Sequence, residues 1–99
     1  MDTVPTVERE DSATQGRYVV RIDGVEGEAE LTFSKTTATL VIADHTLVPD
    51  SMRGMGIGRL LVDRLIADAR AGEYRIIPLC PFVKAQYLRH PEWADVMNG

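Results

Sequence analysis

The chain predicts an α/β (α+β) domain: a mixed, mostly antiparallel sheet of about five strands with two main helices. Three observations carry that expectation. From Arg17 to Val48 apolar residues recur with a period of two, the mark of half-buried strands. From Ile57 to Ala71 the period lengthens to that of an amphipathic helix. Between these stretches lies Arg53-Gly54-Met55-Gly56-Ile57-Gly58, with three glycines in five positions. At 99 residues, 44% of them hydrophobic and 26% charged, the chain has material for one small core and no second domain.

Residues 1 to 15 are polar and weakly patterned, a lead-in with a short edge strand over Thr6 to Arg9, and residues 16–99 form the domain. Tyr18, Val20 and Ile22 share one face of the first clear strand. Ala29, Leu31 and Phe33 share one face of the next, and Gly24 and Gly27 make the hairpin connection. Ser34-Lys35-Thr36 reads as a second turn, after which Thr37 to Val48 is rich in β-branched residues. Leu40-Val41-Ile42-Ala43 is apolar on both faces, as in a central strand covered by helices. Pro49-Asp50-Ser51 stops that strand.

In the first helix Ile57, Leu61, Val62, Leu65, Ile66 and Ala69 fall on one side, and Gly72 provides the stop. Tyr74 to Leu79 is short and apolar, a buried fifth strand that a helical crossover sets parallel to the strand before it. Pro81 suits the first position of a helix, which makes Cys80 its N-cap. That helix runs to Pro91, and Trp93 packs back on the body.

The glycine segment carries the strongest chemical signal. Each glycine at a helix start forfeits about 1 kcal/mol against alanine. A chain retains such residues where a ligand comes closer to the backbone than a Cβ allows. Free amides, the positive end of the helix dipole and a flanking arginine make a phosphate cradle, so a phosphorylated small molecule is the expected ligand. No Gly-Lys-Ser/Thr follows, which excludes a P-loop. Arg59 stands where a dinucleotide fingerprint needs a small third residue, which argues against that motif as well. The net charge of −4 argues against nucleic acid as a partner, although Arg53, Arg59, Arg64, Arg70, Arg75 and Arg89 make the second half locally basic. One cysteine excludes an internal disulfide, the first residues lack a signal-peptide pattern, and no apolar run is long enough for a membrane span. The expectation is a cytoplasmic protein without membrane partners, a monomer or weak homodimer.

The pattern Arg53-x-x-Gly56-x-Gly58 resembles the pyrophosphate-binding signature of the GNAT superfamily of acetyl-coenzyme A-dependent N-acyltransferases. His45-Thr46-Leu47-Val48-Pro49, Ile77-Pro78-Leu79-Cys80-Pro81-Phe82, Tyr87, His90-Pro91-Glu92 and Trp93 extend the likeness to that superfamily's very small single-domain members, over roughly residues 17 to 97. The resemblance implies a minimal GNAT fold, acetyl-coenzyme A as co-substrate, no metal, and an amine acceptor, either a small molecule or an exposed amine of a larger one. It places the pyrophosphate on the amides around Met55 to Arg59, within a cofactor-binding run of Arg53, Gly54, Met55, Gly56, Ile57, Gly58 and Arg59. The acyl-pantetheine arm then lies along the strand from Asp44 to Val48, with Leu47 and Val48 as its cofactor-binding residues.

Three residues are candidates for catalysis. Cys80 at a helix N-terminus sits where the dipole favours a thiolate. Either it accepts the acyl group or it caps the helix near the coenzyme thiol, and a purely structural cysteine is the plain alternative. Tyr87, about two helical turns on, is a proton donor for the leaving thiolate or an ordinary core aromatic. His45 is a general base beside the expected acyl position or a hydrogen-bonded strand histidine. His90, ending its helix before Pro91, is expected to cap carbonyls. His45, Cys80 and His90 lack the short spacings of a zinc site. Larger GNAT enzymes build the acceptor pocket from helices between their first two strands, and only about six residues are available here for that purpose.

Overall fold

The computed structural model describes residues 5–98. Residues 1–4, part of the expected polar lead-in and of the stretch without a signal-peptide pattern, lie outside them. Strands β1 (Val7–Asp11), β2 (Gln15–Val20), β3 (Ala29–Thr37) and β4 (Leu40–Leu47) form an antiparallel meander. Helix α1 (Ile57–Gly72) then crosses to β5 (Arg75–Pro78), which lies parallel to β4, and helix α2 (Pro81–Arg89) follows. Spatial order equals chain order, β1-β2-β3-β4-β5. Single turns of 3-10 helix occupy Asp50–Met52 and Pro91–Asp95. Among the described residues no helix is long and apolar enough to cross a membrane.

The period-two pattern becomes a one-sided core. Tyr18, Val20, Ala29, Leu31, Phe33, Val41 and Ala43 are buried against Ile57, Leu61, Val62, Leu65, Ile66 and Ala69 of α1, and Val83 of α2 joins the same cluster. Sheet-facing apolar side chains of this size contribute about 1.5–3 kcal/mol each when fully buried. No helix covers the second face, where Val19 is nonetheless buried. Leu40 and Ile42 are only half-buried, so β4 is not sandwiched between helices as its apolar run suggests. That run arises because the strand is central, not because both its faces are dry.

The expected turn at Ser34-Lys35-Thr36 is strand. The reversal falls at Ala38-Thr39, where Thr36 Oγ1 donates to the Leu40 carbonyl at 2.8 Å and Thr37 Oγ1 accepts from the Thr39 amide at 3.2 Å. Hydroxyl side chains suit turns and strands alike, and here pairing with β4 decides. The edge strand is also longer than foreseen. Arg9 ties it to α1: Nη1 donates to Asp68 Oδ2 at 3.0 Å, and the Tyr18 hydroxyl donates to the same oxygen at 2.8 Å. Burial first, and the bond to Asp68 second, raise the Tyr18 phenol far above its ordinary range, so it stays a donor.

The helix stop differs in one residue. Gly72 remains helical and Glu73 takes the left-handed conformation at φ 56°, while the Tyr74 amide returns to the Ala69 carbonyl at 3.0 Å. The far edge of β5 is closed by the C-terminal residues. Ile76 donates to the Val96 carbonyl and accepts from the Asn98 amide, both at 2.7 Å.

Candidate functional site

The site is built by a strand pair that comes apart. Pairing of β4 with β5 runs from Leu40↔Arg75 to Ala43↔Pro78, and the Cys80 amide makes a further bond to the Ala43 carbonyl at 2.9 Å. Beyond this point the chain turns into α2, while β4 continues to Leu47 with β3 as its only strand partner. The resulting notch is an exposed stretch of extended backbone open to a ligand arm.

A β-bulge sets which side chains meet there. Thr32 pairs with His45 but Phe33 pairs with Ala43, so Asp44 is an extra residue in β4. The bulge reverses the alternation. Thr46, opposite buried Leu31, takes the helix side, and its Oγ1 lies 3.3 Å from Cys80 Sγ. His45 and Leu47, opposite Thr32 and Glu30, take the uncovered face. Cys80 and His45 are therefore not neighbours on one surface but stand on opposite sides of the sheet at the same notch. The Cys80 side chain is buried, with 3% exposure for the residue, and its carbonyl accepts the Lys84 amide as the first turn of α2 closes. Tyr87 is half-buried and packs on the core, and its phenol makes no hydrogen bond within the described residues.

The glycine segment forms the other part of the site. Gly54 and Gly56 have φ of 79° and 73°, and a Cβ on either would meet nothing within 4 Å. Both are required by backbone path, and both leave the surface above them open. The first bond of α1 is Leu60 amide to Gly56 carbonyl at 3.2 Å, so the amides of Ile57, Gly58 and Arg59 have no acceptor among the described residues. A groove of about 300 Å³ runs over this turn between Val48, Arg53, Gly54, Gly56, Phe82 and Gln86. The third glycine has a different cause. A Cβ on Gly58 would lie 2.7 Å from the Phe82 ring, so Gly58 lets α1 and α2 approach each other. Ile57 is a core plug, and Met55 projects into solvent.

The two flanking arginines also differ. Arg53 is exposed and pairs only with Asp50, at 2.9 Å. Arg59 is held by Asp63 Oδ1 at 2.7 Å and by His90 Nε2 at 2.9 Å, with Trp93 stacked 4.6 Å from the His90 ring. Because Arg59 donates to Nε2, His90 carries its proton on Nδ1, which donates to Glu92 at 3.1 Å. His90 caps α2 as expected, through its amide on the Tyr87 carbonyl at 2.9 Å, while its ring steadies an arginine at the groove. No three His, Cys, Asp or Glu side chains converge as a metal set among the described residues.

The sequence model of the family described as GCN5-related N-acetyl-transferase matches residues 17–96. The chain belongs to that family. The fold agrees. A GCN5-like protein from Staphylococcus aureus, solved by NMR and assigned as a candidate N-acetyltransferase, superposes with a TM-score of 0.70. That superposition covers 93% of this chain and 88% of the other at 26% identity. Among curated proteins, none is similar enough in sequence to count as a relative.

In this member of the GCN5-related family the sequence singled out the glycine turn, Cys80 and Tyr87 and held Thr46 only within the strand Asp44 to Val48; it gave no sign of the Thr46–Cys80 contact or of the His90–Arg59 link. Thr46 adjoins a residue that was singled out, yet only the bulge turns it toward Cys80, and a one-residue insertion in a strand has no reliable sequence mark. The turn has the makings of an anion site. The free amides of residues 57–59, the helix dipole and Arg53 provide the donors, and Gly54 and Gly56 leave room above them.

Proposed function

We propose that this chain transfers an acetyl group from acetyl-coenzyme A to an amine. The observation that carries the reading is the conjunction of an anion-binding turn with a strand notch that opens beside it, at Val48 and Leu47. Phosphates on the amides of Ile57, Gly58 and Arg59 direct the pantetheine arm along the free edge of β4, toward Ala43 and Cys80.

The amine enters from the uncovered face, where His45 is the base that takes its proton. Its nitrogen attacks the thioester carbonyl, the C–N bond forms, and the C–S bond then breaks. The departing thiolate takes a proton from Tyr87 on the helix side. Cys80, buried and 3.3 Å from Thr46 Oγ1, acts in this scheme by orienting the thiol end of the donor. A covalent acetyl-cysteine path is the competing role. Holding donor and amine at one notch is worth several orders of magnitude in effective concentration. The protein works as a monomer or weak homodimer in the cytoplasm and needs no metal.

Coenzyme A release with and without an amine panel tests the reading. Amine-stimulated thiol release is the expected result. Binding of coenzyme A with no stimulation by any amine would make the chain a binding module, and no binding at all would make it an interaction domain. Intact-mass measurement after exposure to acetyl-coenzyme A separates the cysteine roles. No adduct on Cys80 is expected, and an acetyl adduct formed and discharged at the rate of turnover would establish the covalent path.

A further inference from the structure

We infer that the helix-free face of the sheet docks the acceptor, and that the acceptor is a lysine-bearing segment of a basic polypeptide. This rests on the acetyl-transfer reading and adds an acceptor class to it. Strand register lays two rows of side chains across that face: Glu8–Val19–Glu30–Leu47 and Glu10–Arg17–Thr32–His45. Both rows begin at the β1 edge and end on the part of β4 that β5 leaves unpaired. With strands about 4.8 Å apart, the second row spans roughly 14 Å, the reach of about four extended residues.

The charge on this face is one-sided. Five carboxylates, Glu8, Glu10, Glu28, Glu30 and Asp44, stand against two guanidiniums. The guanidiniums are already engaged. Arg17 bonds Glu10 at 2.8 Å, Glu28 at 3.1 Å and Glu30 at 2.8 Å, while Arg21 bonds Glu28 at 2.8 Å and Glu8 at 3.0 Å. Asp44, the bulged residue beside His45, accepts only from Ser34, at 2.6 Å, and no basic side chain pairs with it among the described residues. Three negative charges are left over, on the side of the notch away from the arginines of the cradle. An anionic donor and a cationic acceptor would each meet the opposite charge.

A chain-like acceptor suits this surface better than a small amine. No helix packs over the face, although Val19 within it is buried, and the carboxylates are spread over β1, β3 and β4 and the residue before β3 instead of converging on a point. A hollow of about 430 Å³, lined by Glu10, Asp11 and Asp44 and also by Arg17, Gln15 and Thr32, has the size and the excess of carboxylates to seat one basic side chain while the reacting lysine lies at His45 and Leu47.

The test uses the full chain and fluorescein-labelled nonapeptides with a central lysine flanked by lysine and arginine or by glutamate, titrated by anisotropy with coenzyme A present. The basic peptide is expected to bind at least about tenfold more tightly, and to lose about tenfold in affinity between 50 and 300 mM salt. The double variant Glu10→Gln/Glu30→Gln, checked for an intact melting transition, should weaken the basic peptide several-fold and raise its KM, with coenzyme A affinity unchanged. Glu30→Lys alone, checked in the same way, should weaken it further. Equal affinity for both peptides, no effect of folded variants, or a higher kcat/KM for spermidine than for the basic peptide would overturn the inference. Loss of the transfer reading would appear separately, as the absence of any coenzyme A-induced rise in melting temperature, while the peptide titration still judges the face.

Discussion

Gly56 and Gly58 look alike in the sequence and do different things. Gly56 holds a positive φ with open space above it, so Gly56→Val forces a β-branched residue into the left-handed region, at about 1–3 kcal/mol, or else rearranges the turn. The expected outcome is a folded protein whose melting temperature no longer responds to coenzyme A. In the wild type, ligand at 100 times its Kd adds about 2.7 kcal/mol. An undiminished response in the variant would remove the cradle from the site. Gly58→Ala meets the Phe82 ring and should instead lower stability with or without ligand, because the ring must give way. Thr46→Val keeps the shape beside Cys80 and deletes the hydroxyl. We expect turnover to fall while coenzyme A affinity holds, and equal turnover would show that the Thr46–Cys80 contact is only packing. The spacing of the glycines thus marked an unusual turn at a helix start, but it did not tell the open positions Gly54 and Gly56 from Gly58, which is there for packing. Nor was the partner of Cys80 legible, because the side each β4 residue faces depends on a bulge at Asp44 that breaks the alternation without any unusual residue to announce it.

At the scale of elements, α1 has one weak end and one strong tether. Glu73 occupies a left-handed position that glycine takes freely, so Glu73→Gly should raise stability by about 0.5–1 kcal/mol, read from denaturant midpoints. The tether is Asp68, which accepts from Tyr18, Arg9 and Arg64 and so joins α1 to β1 and β2. Asp68→Asn should cost about 1–3 kcal/mol by weakening charge-assisted bonds to two arginines. The helices and the parallel crossover could be foreseen because an amphipathic period and a proline at a helix start act locally. Strand ends were harder. Ser34 to Thr36 carry turn chemistry and lie in a strand, since pairing partners six to eight residues away, and the Ser34–Asp44 bond, outweigh what those side chains prefer alone.

For the molecule as a whole, paired carboxylates set the response to acid. Burial alone would raise the Asp68 carboxyl, but the bonds from Tyr18, Arg9 and Arg64 outweigh it and hold the group below the usual range. Arg21 and then Arg17 lower Glu28, and Arg70 lowers Asp95. A carboxylate lowered on folding binds its proton more readily in the unfolded chain. The stability it supplies is thus complete above the ordinary carboxylate range near pH 4, and drains away as pH falls through the lower folded values. Melting temperature should drop steeply below about pH 4, and less so in Asp68→Asn. A midpoint that stays level to pH 2.5 would contradict this account.

Because the strands lie in chain order, the meander from β1 to β4 consists of near-neighbour pairings that close short loops, which is the arrangement that folds quickly. The β4–β5 seam is different: it waits for the whole of α1, and the edge of β5 then waits for Val96 to Asn98, about twenty residues further on. The last pairing to form is expected to be the first to let go. Amides of Arg75 to Ile77 should exchange with deuterium through partial openings, while those of β2 and β3 exchange only on global unfolding. On that account the proposed reaction lies at a seam of the sheet that is expected to open without taking the rest of the domain with it.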